Sequence, residues 1–262
     1  MERESSVAQL EHRSELFKQY SGAVAWAVEK GGIHTRLNLV AAAFTRNRRG
    51  PFQAHLTLYS DRHPEGVEWV SAKGQFDRDL RITLGDVFGR DGEFEGYVEV
   101  VAESPNQDLR PQHYNELWFD YFSDDGRVHL VLPTIQFYGS QKRTLGGQNQ
   151  IWPGLMANAT FRPSISAINP YPDAIEFKLS VVSPLGDTRA SDTLVLPRKS
   201  QRRWRLPDVL PDLEAFLEPH GGIGNLLITS THKMICYFLI ENVRTGTITG
   251  ADHLAWFYGE KF

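Results

Sequence analysis

From Gly22 onward the chain runs in short stretches where apolar and polar residues alternate, such as HLTLYS at 55–60, GYVEVVAES at 96–104 and KLSVVS at 178–183, rich in Val, Ile, Thr and aromatics. A period of two sends successive side chains to opposite faces and marks half-buried strands. The runs are separated by NRRGP, DRHPEG, SDDGR, NPYPD and SPLGD, where Gly, Pro, Asn and Asp supply turn geometry. Turn-separated strands at regular spacing predict antiparallel sandwiches or barrels rather than alternating βα units. Before Gly22 the texture differs. ESSVAQLEHRSELFKQY places Val7, Leu10, Leu16, Phe17 and Tyr20 at helical intervals among charges, which predicts one long helix within residues 1–21.

The strand-rich part repeats itself. HLTLYS is matched by KLSVVS, LGDVF at 84–88 by LPDVL at 206–210, GYVEVVAES by GNLLITST at 224–231, and LWFDYF at 117–122 by AWFYG at 255–259. The order is the same in both halves, and the spacing grows towards the end, so the second half must carry longer loops, notably LEPHGGI. Such insertions cost little free energy. The expected fold class is all-β: two tandem antiparallel β-sandwiches from an internal duplication, residues 22–137 and 155–262, joined by a Gly/Gln/Pro-rich linker at 138–154.

The second half, with ANATFRPSISAINPYPDAIEFKLSVVSP, then RRWRLPDVL, then GNLLITSTHKMICYFLIEN, resembles the sensory rhodopsin transducer family of bacterial β-sandwich proteins. The shared pattern is an opening strand ending in Asn, a turn, an alternating strand, a Leu-x-Asp phrase, and a strand ending in Ser before a further apolar strand. It covers residues 162–245. The resemblance implies a soluble signalling or binding partner, often oligomeric, and brings no catalytic residues. The second copy and the N-terminal helix depart from the family's pattern.

Charge and cysteine usage narrow the classes. A net charge of -4 disfavours a general nucleic-acid binder, which needs a basic excess. No apolar run reaches the roughly 20 residues that cross a bilayer, so membrane insertion is not expected, and the charged N-terminus carries no secretory signal pattern. Cys236 is the one cysteine and has no internal disulfide partner. Together these predict a cytoplasmic protein.

The candidate chemistry is sparse. Asp86 and Asp208 of the repeated phrase invite a paired-carboxylate mechanism; the alternative is that each caps a short turn or helix between strands. No GxSxG, Walker or HExxH motif occurs, and Cys236 within KMICYFLI reads as a small buried apolar residue. His113 and Glu116 in QHYNELW, Asp252 and His253 in ADHLAW, and His34 could together supply hard oxygen and imidazole ligands for a divalent metal, or be ordinary strand-end residues. No other cofactor is expected. PRKSQRRWR interleaves Arg198, Lys199, Arg202, Arg203 and Arg205 with Trp204, a surface for a polyanion or a charged, edge-protecting strand. Trp118, Tyr121, Trp256 and Tyr258 are candidate ligand-binding aromatics, alongside Arg202 and Trp204, or else core packing. The expected function is a non-enzymatic interaction or ligand-binding scaffold working as a homo-oligomer or with a protein partner. The alternatives are a metal-assisted hydrolase using the His/acid segments and a carbohydrate-binding protein.

Overall fold

The alternating runs form strands. A computed structural model describes residues 22–39, 53–71, 80–89, 92–103, 117–133, 135–137, 148–231, 234–253 and 255–257; the helix expected within 1–21 lies outside them. Among the described residues no helix is long and apolar enough to cross a membrane. Two compact units divide between Lys142 and Arg143; residues 123–130 group with the second, although the strand ends among them pair within a sheet of the first.

The first unit contains β1 (Gly22–Glu29), β2 (Ile33–Leu39), β3 (Gln53–Ser60), β4 (Val67–Val70), β5 (Leu80–Thr83), the short helix α1 (Leu84–Phe88), β6 (Phe94–Glu103), β7 (Leu117–Ser123), β8 (His129–Pro133) and β9 (Ile135–Phe137). They make two sheets ordered β4-β3-β6-β1-β9 and β5-β2-β7-β8. The second unit contains β10 (Gln148–Met156), β11 (Phe161–Asn169), β12 (Ile175–Val182), β13 (Thr188–Ala190), β14 (Leu194–Leu196), β15 (Ser200–Arg205), α2 (Leu206–Val209), α3 (Leu213–Leu217), a 3-10 turn (Glu218–His220), β16 (Ile223–Ser230), β17 (Ile235–Asn242), β18 (Thr247–His253) and β19 (Ala255–Phe257). Its sheets are ordered β13-β12-β16-β10-β19, with β14 also on β12, and β15-β11-β17-β18.

The two orders coincide once β14 is set aside. HLTLYS and KLSVVS occupy matching strands, β3 and β12. LGDVF and LPDV form α1 and α2, and GYVEVVAES and GNLLITST supply β6 and β16. The fourth phrase match does not hold. LWFDYF is β7, whose counterpart by position is β17, whereas AWF is β19, which stands where β9 (IQF) stands. Shared aromatic content misled the pairing, since LWFDYF and AWF are ring-rich strands at different places in the sheets. The extra length of the second half is partly helical: α3 and the 3-10 turn fill the span between α2 and β16. The segment read as a linker, 138–154, also contributes structure. Its Pro153 and Gly154 lie within β10, where the pairing with β16 shifts between Trp152 and Leu155 and Gly154 has φ 76°. These breakers mark a bulge, and the division of the units between Lys142 and Arg143 falls earlier in the same segment.

Each unit has its own core. In the second, β12 alternates cleanly, with Ile175, Phe177, Leu179 and Val181 buried and the residues between them more exposed. Phe177 meets Trp204 of the other sheet edge-on at 5.1 Å, and Trp152 stacks on Phe238 at 4.9 Å. In the first, Trp26 of β1 stacks on Tyr121 of β7 at 5.0 Å, and the Tyr121 hydroxyl donates to the Trp26 carbonyl at 2.6 Å. Stacked rings in these geometries add about 0.5–1.5 kcal/mol beyond area burial. A polar tie serves the second unit: Gln150, fully buried, donates from Nε2 to the Met234 carbonyl at 2.6 Å.

Candidate functional site

Lys30-Gly31-Gly32-Ile33 turns β1 into β2. Gly31 and Gly32 have φ 60° and 71°, as a type I′ hairpin requires at both central positions, and Lys30 pairs with Ile33. The next residues out, Glu29 and His34, are therefore cross-strand neighbours. The Glu29 carboxylate engages His34 Nδ1. The same carboxylate lies against Gly85 of α1, where an added Cβ would stand 2.6 Å from its carbon. The repeated phrase thus differs usefully between copies: Gly85 makes room for Glu29, while the matching position in α2 is Pro207. Both aspartates of the phrase sit in a helical first turn, Asp86 in α1 and Asp208 in α2. The capping positions belong instead to Thr83 and Arg205, and neither makes a side-chain cap bond.

Residues two apart on a strand share a face, so His34 and Arg36 of β2 meet Asp120 and Phe122 of the neighbouring β7. Arg36 donates from Nε and Nη2 to Asp120 Oδ2 at 3.1 and 2.6 Å, and Asp120 is buried. The Phe122 ring lies 5.3 Å from the His34 ring and 5.1 Å from the Arg36 guanidinium carbon. The result is a contiguous row, Glu29–His34–Phe122–Arg36–Asp120. A carboxylate on Nδ1 fixes the imidazole's tautomer and orientation, and the Arg36 guanidinium over the Phe122 ring adds cation–π attraction.

The cationic segment of the second unit forms β15, an edge strand beside β11. Its two faces differ. On one, Gln201 donates to Ser166 at 2.9 Å and Arg203 to Ser164 at 3.2 Å, while Arg203 and Arg205 approach Glu241 at 3.6 and 3.9 Å. On the other, Arg202 lies over the Trp204 ring at 5.2 Å, so the arginine covers an indole that is otherwise buried in the core. Arg198, Arg202 and Arg205 are exposed. The turn into β15 is held by Ser200 Oγ donating to the Pro197 carbonyl at 2.7 Å and by Lys199 N donating to Tyr171 O at 3.1 Å. Lys199 has φ 47°, a left-handed conformation that costs a non-glycine residue roughly 1–2 kcal/mol.

The loops beneath this turn are organised by Asn169, fully buried at the end of β11. Its Nδ2 lies within hydrogen-bonding reach of the carbonyls of Asp173, Pro197 and Leu196 at 2.7, 2.9 and 3.2 Å, and its Oδ1 accepts from Tyr171 N at 3.0 Å. Nothing in the alternation pattern pointed to so many bonds, although an Asn ahead of a Pro-rich turn is the signal that marks it.

Of the remaining sequence candidates, Tyr121 and Trp204 are packing residues within their units, and Trp118 is half-buried on β7. Asp252 lies half-buried on β18 next to His253. Trp256 pairs through its backbone with Gln150. His113, Glu116 and Tyr258 lie outside the described residues. Among the described residues no group of three His, Cys, Asp or Glu side chains is set to hold a metal ion. Cys236 is fully buried, and burial pushes its thiol well above the ordinary cysteine range.

No family model matches the chain, and no curated protein matches it. Among solved structures it is similar to a β-glucuronidase of Bacteroides uniformis, with 11% identity and a TM-score of 0.21 over 92% of this chain and 27% of that one. It is similar also to β-glucuronidase 2 of that organism covalently bound to cyclophellitol-6-carboxylate aziridine, with 12% identity and a TM-score of 0.20 over 92% and 27%. The alignments span only about a quarter of those chains, and likenesses at these scores carry no argument about activity.

Proposed function

We propose that the chain is a non-enzymatic binding scaffold built from two tandem sandwiches. The observation that carries this reading is that the groups best suited to chemistry are committed to contacts inside the fold. His34 is taken by Glu29 and Arg36 by Asp120. Cys236 is buried with its thiol held protonated, which removes the nucleophile. The resemblance of residues 162–245 to the sensory rhodopsin transducer family supports a signalling role with a protein partner or a second copy, in a reducing, cytoplasmic setting. The coincident strand orders of the units support an origin by internal duplication.

Metal analysis of the tag-free full chain is the direct test. The scaffold reading expects far less than one ion per chain, with no change in His34→Ala, His113→Ala or His253→Ala. About one tightly held ion per chain, lost in either of the last two variants, would refute it in favour of a metal-assisted hydrolase. Mass in solution reports the oligomeric state.

A further inference from the structure

We infer that β15 is a docking edge for an extended acidic peptide, which adds to the sheet β15-β11-β17-β18 as a fifth strand; the inference rests on the scaffold reading. An antiparallel edge strand turns the N–H and C=O groups of alternate residues away from its one neighbour. Among the described residues, β15 pairs with β11 and with no second strand. The same eight-residue stretch, 198–205, carries Arg198, Lys199, Arg202, Arg203 and Arg205, of which Arg198, Arg202 and Arg205 are exposed, and Arg203 and Arg205 approach the Glu241 carboxylate. The matching strand of the first unit, β5, carries Arg81 as its one basic residue, whereas β15 carries Arg202, Arg203 and Arg205.

Charges on an edge commonly discourage pairing, and here their sign decides which strands are discouraged. A neutral strand leaves the cations beside it poorly solvated, and a basic one is repelled. An acidic strand meets both the backbone groups and the charge. A nucleic acid or sulfated glycan matches the charge but offers no alternating N–H and C=O ladder, so it leaves the edge carbonyls without donors. Strand addition is an established mode of peptide capture in which main-chain bonds give affinity and side chains give specificity. The left-handed Lys199 is consistent with this use. A glycine would hold that turn without strain, yet a lysine stands there and adds charge at the start of the edge.

The test uses the full chain and a fluorophore-labelled, end-capped nine-residue peptide of Glu, Val and Thr, read by anisotropy. Binding is expected, with a loss of about tenfold or more, equal to about 1.4 kcal/mol, when its Glu residues become Gln or when the protein carries Arg202→Glu. Lys199→Gly should weaken binding several-fold while raising the melting temperature, an outcome no unfolded variant can produce. Blocking one edge of the peptide by N-methylation at alternate residues should leave binding within about threefold, whereas blocking both edges should abolish it. Equal binding of the doubly blocked peptide, or tighter binding of a 15-residue oligothymidine, overturns the inference. No peptide binding by a chain that proves metal-free removes the docking edge and leaves the scaffold reading standing; one metal per chain removes the scaffold reading whatever the peptide does.

Discussion

Gly96 is the position where one methyl group should do most damage. It opposes Ser60 in the β3–β6 ladder, and a Cβ added there would lie 1.9 Å from the Tyr59 carbonyl oxygen and 2.9 Å from Ser60 Cα. A close carbon–oxygen approach normally settles at about 3.3–3.6 Å, so Gly96→Ala must push the paired backbones apart by about 1.5 Å. Neither strand can yield cheaply, because Tyr59 stacks on Tyr97 at 4.9 Å and both rings are buried. Overpacking costs about 1–3 kcal/mol, and one or two broken ladder bonds add about 1 kcal/mol each. The expected loss is therefore about 2–5 kcal/mol, a large share of a typical stability of roughly 5–15 kcal/mol. Gly224 holds the matching place in β16 and gives an internal control. Its added Cβ would meet Leu217 Cδ2 at 3.0 Å, Val181 Cγ1 at 3.1 Å and the Val182 carbonyl at 3.2 Å. Small shifts relieve those contacts, so Gly224→Ala should cost about 1 kcal/mol. Urea denaturation followed by tryptophan fluorescence reads both, fitted as two transitions if the units unfold separately. A Gly96→Ala protein within about 1 kcal/mol of wild type, or an equal loss in both variants, would refute the steric reasoning.

Asn169→Ala should cost about 2–4 kcal/mol, since it strands the Tyr171 amide and deprives the buried Leu196 carbonyl and two part-buried ones of their donor; a loss below about 1 kcal/mol by the same denaturation assay would show that the loops re-form without it. Gly85→Ala should displace the Glu29 carboxylate while changing stability by less than about 1 kcal/mol, because the weakened Glu29–His34 hydrogen bond and the gain in helix propensity are each about that size and opposite in sign. The readout is the His34 ring by NMR, and unshifted His34 resonances would exclude the displacement. Cys236 should resist a thiol-specific reagent in the native protein and react at the rate of unfolding, because burial keeps the thiol protonated; fast native labelling would mean that β17 opens far more readily than its burial suggests.

Much of the fold is legible in the alternation of HLTLYS, KLSVVS and GNLLITS, because one buried face per strand forces a period of two. Strand β10 was not, since Trp-Pro-Gly inside it carries the marks of a linker while acting as a bulge. The Glu29–His34 pair was legible in principle: Gly31-Gly32 is a two-residue hairpin signal that sets residues 29 and 34 opposite each other. Arg36 and Asp120 are separated by most of a unit's chain, and only the pairing of β2 beside β7 brings them together. Periodicity within a segment holds no information about which segment will become its neighbour. The aromatic strands show the same limit, because LWFDYF and AWF share composition while occupying different places in the sheets.

Among the described residues, the last strand of each unit lies beside the first: Gly22 of β1 pairs with Phe137 of β9, and Asn149 of β10 with Phe257 of β19. The described strands of each unit therefore begin and end within one ladder spacing, about 5 Å, of each other. A module of that kind can be strung in series, spliced into a host loop or circularly permuted with a short bridge between its own ends. The cut ends of such a permutant would fall at an existing turn, and the hydrogen-bonded order of the sheets would not change.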